Sequence, residues 1–186
     1  MSSFSSQSNF LSAPSIVVGR AEEKQFLRFY LEPETKLMLP IGQVTEVLKI
    51  GIGQIVPIPQ MPSWVMGVYN WQGNILWTID LGHLIGLNSW YEQEISISNY
   101  TAIVLAPDRK KNRAKDGETL SIGLIVTRVE DIEWCDTSLI QSPPAEAVTP
   151  ALAPFLQGYW LKLNGEMILT LDGRAIIEAM PHGEVE

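Results

Sequence analysis

The sequence predicts a mainly β fold built from two small closed barrels, and three observations predict it. Apolar runs of strand length recur between turn-forming residues. Helical periodicity is confined to two short places, and one strand-turn-strand pattern occurs twice along the chain.

The N-terminal residues are Ser-rich, with too little periodic apolar content to offset the entropy of ordering, although Ile16-Val17-Val18 offers a short local docking element. Residues 1–22 are therefore expected to form a mobile tail, and residues 182–186 a short C-terminal one. Between them, apolar runs at 26–31, 37–41, 65–69, 75–79, 100–106, 120–126, 161–163 and 167–171 have strand length and end at Gly, Pro, Asn or Asp. Short helices are expected after Asp80, at His83-Leu84-Ile85-Gly86, and after Asp172, at Ala175-Ile176-Ile177-Glu178-Ala179-Met180. The Pro-rich stretches 57–62 and 143–154 cannot run through a sheet centre, because proline fixes φ and removes a ladder donor. They read as ordered loops or crossings between lobes. The polar stretch 107–119 reads as a long hairpin loop whose basic cluster is a solvated face.

The repeat is the most informative pattern. Gly73-Asn74-Ile75-Leu76-Trp77-Thr78-Ile79-Asp80 and Gly165-Glu166-Met167-Ile168-Leu169-Thr170-Leu171-Asp172 share the order Gly, polar, three apolar, Thr, apolar, Asp. Each copy follows an apolar strand that begins near a glycine, Gly67 or Gly158, and each precedes a short helix. Glycine supplies the positive φ of a tight hairpin turn, and the aspartate carboxylate caps amides at the helix start, worth about 1 kcal/mol. Both aspartates are thereby assigned to folding. Two copies imply two lobes, and closure into two five-stranded barrels removes the sheet edges that invite aggregation.

Composition narrows the function. With 13 basic and 21 acidic side chains the net charge is -8, which repels nucleic acid backbones and anionic lipid headgroups. Charged residues make up 18% of the chain, below the usual value of about 25%, which leaves apolar surface for protein partners. Cys135 is the single cysteine, so neither an intramolecular disulfide nor a thiol metal cluster is possible, and a reducing cytoplasm fits. No secretory start and no apolar run of about 18 residues is present, so no membrane insertion is expected.

Catalytic signals are missing. The two histidines, His83 and His182, have no partner in sequence, and Cys135 lies between Trp134 and Asp136 with no base beside it. Gly51-Ile52-Gly53 runs into Gln54-Ile55-Val56-Pro57 and forms no phosphate cradle. Glu130, Asp131 and Glu133 read as a solvated loop or edge-strand face. No catalytic residue, metal site or cofactor is expected. Trp77 and Trp160 lie inside apolar strands and are expected to fill the barrels; Trp71, beside Gln72-Gly73 in a turn, suits packing and binding equally.

Several segments, in this order and spacing, resemble the CheW family of chemotaxis coupling proteins, whose domain also ends the CheA kinase. They are residues 26–31; Leu39-Pro40-Ile41-Gly42-Gln43-Val44-Thr45-Glu46-Val47; Ile55-Val56-Pro57-Ile58-Pro59 with Pro62; residues 67–81; Ile122-Gly123-Leu124-Ile125-Val126 with Val129; and residues 158–172. The resemblance implies a CheW-like domain over residues 23–181, made of two intertwined five-stranded SH3-like β-barrels. It further implies a cytoplasmic, non-enzymatic adaptor that couples a CheA-type histidine kinase, through its regulatory domain, to the signalling tip of a methyl-accepting chemoreceptor. The pathway would be chemotaxis, phototaxis or type IV pilus motility.

Partner-binding residues carry over by position. Val44, Glu46 and Val47 match the family's Val-x-Glu-Val, and Gly67, Asn70 and Gly73 match its Gly-x-x-Asn-Leu-Arg-Gly turn. Trp71 replaces the Leu, Gln72 replaces the Arg, and Thr127 stands where many members have Asp. The missing Arg leaves at best a neutral hydrogen bond for Glu46 in place of a surface ion pair worth about 0–1 kcal/mol, so specificity should change more than stability. A receptor-facing groove is expected between the lobes, from strands 100–106 and 120–126. The alternative is a β-barrel sensor of a small apolar molecule, against which stands the tendency of such small barrels to be filled by side chains.

Overall fold

A computed structural model describes residues 22–31, 34–90, 98–105, 120–144 and 148–181. Its first strand shows how the sequence builds sheet. In β1 (Glu23–Leu31) the residues Leu27, Phe29 and Leu31 point to one face and Phe26, Arg28 and Tyr30 to the other, the period of two that a pleated strand imposes. β2 (Thr35–Pro40) follows in an antiparallel hairpin. The chain then crosses to a second sheet made of β3 (Val44–Gly51), β4 (Val65–Trp71), β5 (Asn74–Asp80), β6 (Asn99–Leu105) and β7 (Ser121–Val126). It returns through β8 (Arg128–Asp136), β9 (Ile140–Gln141), β10 (Leu156–Leu161) and β11 (Met167–Leu171). Helices α1 (Leu81–Leu84) and α2 (Gly173–Glu178) follow the two repeat copies, where the sequence places them.

The strand order is β8-β1-β2-β11-β10-β9 in one sheet and β3-β6-β7-β5-β4 in the other. Both close by one device. β8 passes through a 3-10 turn (Thr137–Leu139) and continues as β9, which pairs with β10 at the opposite edge. Likewise β3 passes through a 3-10 turn (Ile52–Gln54), after which Val56 bridges Val68 of β4 through reciprocal N–H···O bonds of 2.8 and 2.9 Å. Each lobe is thus a five-stranded barrel with one bent strand. Lobe one takes its strands from both ends of the described chain and lobe two from the middle, so the two are intertwined.

The repeat seen in the sequence is a repeat of the fold. β4-β5 and β10-β11 are antiparallel hairpins, and their second strands pair in parallel with β7 and β2. Both first strands bulge, at Gly67 and at Gly158. At Gly67, where φ is +141°, a Cβ would stand 2.2 Å from the Val56 carbonyl oxygen; at Gly158 it would stand 2.7 Å from that of Gln141. Only a residue without a side chain lets the closing strand pass this near. The aspartates cap as expected. Asp80 accepts from the backbone N–H groups of His83 at 3.0 Å and Trp90 at 2.9 Å, and Asp172 accepts from that of Arg174 at 2.9 Å.

Three apolar clusters result. The largest is the seam between lobes, where Leu27, Phe29 and Leu39 meet Ile103, Leu105 and Leu124. Lobe two is filled by Ile50, Leu76, Tyr100, Ala102, Val104 and Ile125, and lobe one by Phe26, Met38, Cys135 and Ile168 with Ile140 and Trp160 against them. Trp77 differs from its expected place: it packs half-buried against the seam, on the outer side of its barrel.

The structure departs from the sequence reading in three further places. β3 and β8 are absent from the apolar runs because these strands bury one face and carry charge on the other, and β9 because it is two residues long. β10 begins at Leu156, and residues 162–163 belong to the following turn. Strands 100–106 and 120–126 line no open groove: β6 and β7 are the middle of their sheet and bury both faces, one in the seam and one in the lobe-two interior. The polar stretch 107–119, residues 1–21 and His182 lie outside the described residues.

Candidate interaction surface

β3 is an edge strand, hydrogen-bonded to β6 on one side. Its alternation turns Val44, Glu46, Leu48 and Ile50 inward and Thr45, Val47 and Lys49 outward, with a bulge between Val44 and Glu46. Val47 on the outer face is 42% exposed, whereas Ile50 on the inner face is fully buried.

The β4-β5 turn lies across from this strand. Gln72 and Gly73 have φ of 52° and 83°, the pair of left-handed residues that a two-residue hairpin turn needs to match the strand twist. Gly73 suits that role; Gln72 is held in it by its neighbours. The Asn70 carboxamide oxygen accepts from the Gly73 N–H at 2.9 Å, and the Asn74 side chain donates to the Gln72 carbonyl at 3.4 Å. Asn70 therefore secures the turn that displays Gln72 and Gly73.

Trp71 joins the two segments. It ends β4 with its ring turned in against the lobe-two cluster, and its indole N–H donates to the Glu46 carboxylate. The neutral hydrogen bond anticipated for Glu46 exists, but from Trp71 in place of Gln72. The packing expected of Trp71 is present, and the same side chain lies beside Glu46 at the barrel mouth. Among the described residues Glu46 makes no ion pair. The structure thus brings Glu46, Asn70, Trp71, Gln72 and Gly73 to one rim with Val47 exposed beside it, whereas Val44, beyond the bulge, packs against the seam. Gly67 is also set apart: it is buried beneath Val56 at the closure, and its lack of a side chain is explained by folding without a partner.

At the corresponding mouth of lobe one the sequence reading missed a charge cluster. The Arg28 guanidinium reaches Glu133 at 2.8 Å, Glu130 at 3.1 Å and Glu166 at 3.2 Å; Lys36 reaches Glu166 at 2.7 Å; Lys162 reaches Glu133 at 2.5 Å. Glu130 and Glu133 are ion-paired members of this network, not the solvated face expected. Burial opposes the charge of Glu133, yet hydrogen bonds from Lys162 and Arg28 outweigh it and hold the carboxyl below its ordinary range. Glu166 is likewise lowered, first by the hydrogen bond from Lys36. The signal available in the sequence was Arg28, a charge at an inward position of an alternating strand.

Among the described residues, reactive groups do not converge. Ser63 Oγ and His83 Nε2 lie 2.8 Å apart, a contact the sequence did not reveal, but the Asp80 carboxylate beside them is committed to two backbone amides. Burial, with Asp136 and Glu133 nearby, pushes the Cys135 thiol up to about 11, away from nucleophilic reactivity. No group of three His, Cys, Asp or Glu side chains could hold a metal among the described residues. No described helix is long and apolar enough to cross a membrane. Among the described residues both lobes are filled with side chains, which does not favour a hollow sensor barrel. An open groove of about 570 Å³ near Lys24, Gln43, Gln157, Asp172 and Arg174 is a polar surface feature.

A duplicated, side-chain-filled barrel pair defines the class of two-lobed β-barrel domains. The CheW-like domain model matches residues 25–180, nearly the whole described region, and the chain belongs to that family. It is 33% identical over 123 residues to protein PilI of Pseudomonas aeruginosa, a match covering 64% of this chain and 57% of PilI. It also resembles the crystal structure of the scaffolding protein TtCheW from Thermoanaerobacter tengcongensis, with a TM-score of 0.61 and 26% identity over 80% of this chain and 88% of that one.

Proposed function

We propose that this protein is a cytoplasmic adaptor without catalytic activity, coupling a CheA-type histidine kinase to a methyl-accepting chemoreceptor in a motility pathway. One observation carries the reading. The β3 edge and the β4-β5 turn, far apart in sequence, are tied into a single rim by the Trp71–Glu46 hydrogen bond, with the apolar Val47 exposed beside it. Exposed apolar side chains around a partly desolvated polar group are what a protein interface uses as an anchor. The working unit is residues 23–181, and the kinase's regulatory domain docks on the rim through Glu46, Val47, Asn70, Trp71, Gln72 and Gly73. Similarity to PilI favours a pilus system among the motility systems considered.

The test is co-purification of the CheA-type kinase of the same organism. Glu46→Lys abolishes recovery of the kinase while the adaptor stays folded, its melting temperature lowered only by the loss of the Trp71 hydrogen bond, about 1–2 kcal/mol. Full recovery with the lysine variant refutes the assignment of this rim.

A further inference from the structure

The two barrels provide an internal comparison of how carboxylates at a barrel mouth are neutralised. In lobe one, Glu133 and Glu166 face Arg28, Lys36 and Lys162. In lobe two, β3 takes the place of β8 and β4 that of β10, as the common order of pairing shows. There Glu46 is half-buried, takes one hydrogen bond from a neutral indole, and has no cation within ion-pair distance among the described residues.

A neutral N–H donor leaves the negative charge in place, whereas a guanidinium forms a bidentate pair with a carboxylate and neutralises it. Glu46 is therefore an incomplete site of known chemistry. The Trp71 N–H occupies Oε1, and Oε2 has no hydrogen-bond partner among the described residues. We propose that the partner docked on this rim inserts an arginine against Glu46. The guanidinium fork takes the free oxygen while the indole keeps the other, and the adjoining Trp71 ring flanks the pair. Arginine fits better than lysine because its planar, weakly hydrated head pairs with carboxylates and stacks on aromatic rings. The inference rests on the functional reading above, and it specifies what the kinase presents.

The probe is the full-length CheA-type kinase of the same organism, titrated with the full chain by calorimetry at rising salt. Wild-type affinity falls between about 0.1 M and about 1 M salt, where the screening length shrinks from about 10 Å to about 3 Å. Glu46→Gln keeps the acceptor for Trp71 and hence the fold, checked by an unchanged melting temperature. It weakens binding by about tenfold or more at low salt and flattens the salt dependence. An affinity equal to wild type, or an undiminished salt slope, overturns the proposal and leaves the adaptor reading intact. Failure of the wild type to bind the kinase overturns both. A further variant replaces Arg109, Lys110, Lys111, Arg113 and Lys115 by glutamine. If it weakens binding as much as Glu46→Gln, and adding Glu46→Gln to it changes nothing more, the cation is internal and the proposal falls.

Discussion

Replacing Gly67 by alanine separates folding from recognition at the one rim-motif position that the structure places under the surface. The new Cβ would lie 2.2 Å from the Val56 carbonyl oxygen, 2.7 Å from its carbon and 2.9 Å from Pro57 Cα, all backbone atoms of the strand that closes lobe two. An L-residue at φ +141° carries strain of about 1–3 kcal/mol, and moving a packed backbone aside adds overpacking of about 1–3 kcal/mol. Gly67→Ala should therefore cost about 2–6 kcal/mol, a large share of the roughly 5–15 kcal/mol that holds a domain folded. Gly73→Ala is the control. Its φ of +83° is also unfavourable to alanine, but no atom lies within 4 Å of the added carbon, so about 1 kcal/mol is expected. Urea denaturation followed by tryptophan fluorescence measures both, with unchanged slopes showing that stability alone has shifted. A loss under about 1 kcal/mol for Gly67→Ala would refute the argument that closure of the barrel requires this glycine.

Acid stability tests the lobe-one network. Glu133 and Glu166 both have lowered native pKa values, so the folded state binds their protons more weakly than the unfolded chain does. Their contribution is complete above the unfolded glutamate value of about 4.3 and is lost as pH falls through the depressed native values. A Glu133→Gln, Glu166→Gln double variant should start less stable and lose less melting temperature on acidification; parallel profiles would contradict the assignment. The caps test the repeat: Asp80→Ala, which leaves two backbone amides unpaired at a site 4% exposed, should cost about 2–3 kcal/mol by denaturant titration. Asp172→Ala, at a more accessible cap, should cost about 1 kcal/mol, and equal losses would remove the distinction.

What the sequence made legible follows from how locally each feature is encoded. The hairpins β4-β5 and β10-β11 are written in consecutive residues, glycine turn and aspartate cap included, and both were readable. β8 was not. Arg128-Val129-Glu130-Asp131-Ile132-Glu133-Trp134 mixes charge with apolar residues in a way that resembles a solvated loop until Arg28 and Lys162 arrive from distant strands. Closure itself was expected, but the contact that makes it was hidden for the same reason, since Val56 meets Val68 only after a turn reverses the chain between them. At the rim, residue types at Glu46 and Asn70 were legible through family resemblance. The donor to Glu46 was not, because alternation along β4 directs Trp71 inward and leaves Gln72 in the turn.

Duplication also shows which positions the fold does not dictate. Gly67 and Gly158 both admit a closing strand, Asp80 and Asp172 both cap a helix, and Thr78 and Thr170 occupy the same register opposite those glycines. Features needed to make a barrel recur in both copies. At the mouths the copies part: Lys162 and Glu166 pair across one hairpin, where Trp71 and Asn74 pair across the other. Since a closed barrel forms with either set, barrel formation does not require an indole in place of a cation beside Glu46. Lobe one neutralises its own carboxylates and asks nothing of a partner. Among the described residues lobe two leaves one charge unanswered, at a rim with exposed apolar surface, and that asymmetry between otherwise equivalent barrels is the physical reason to seek recognition there.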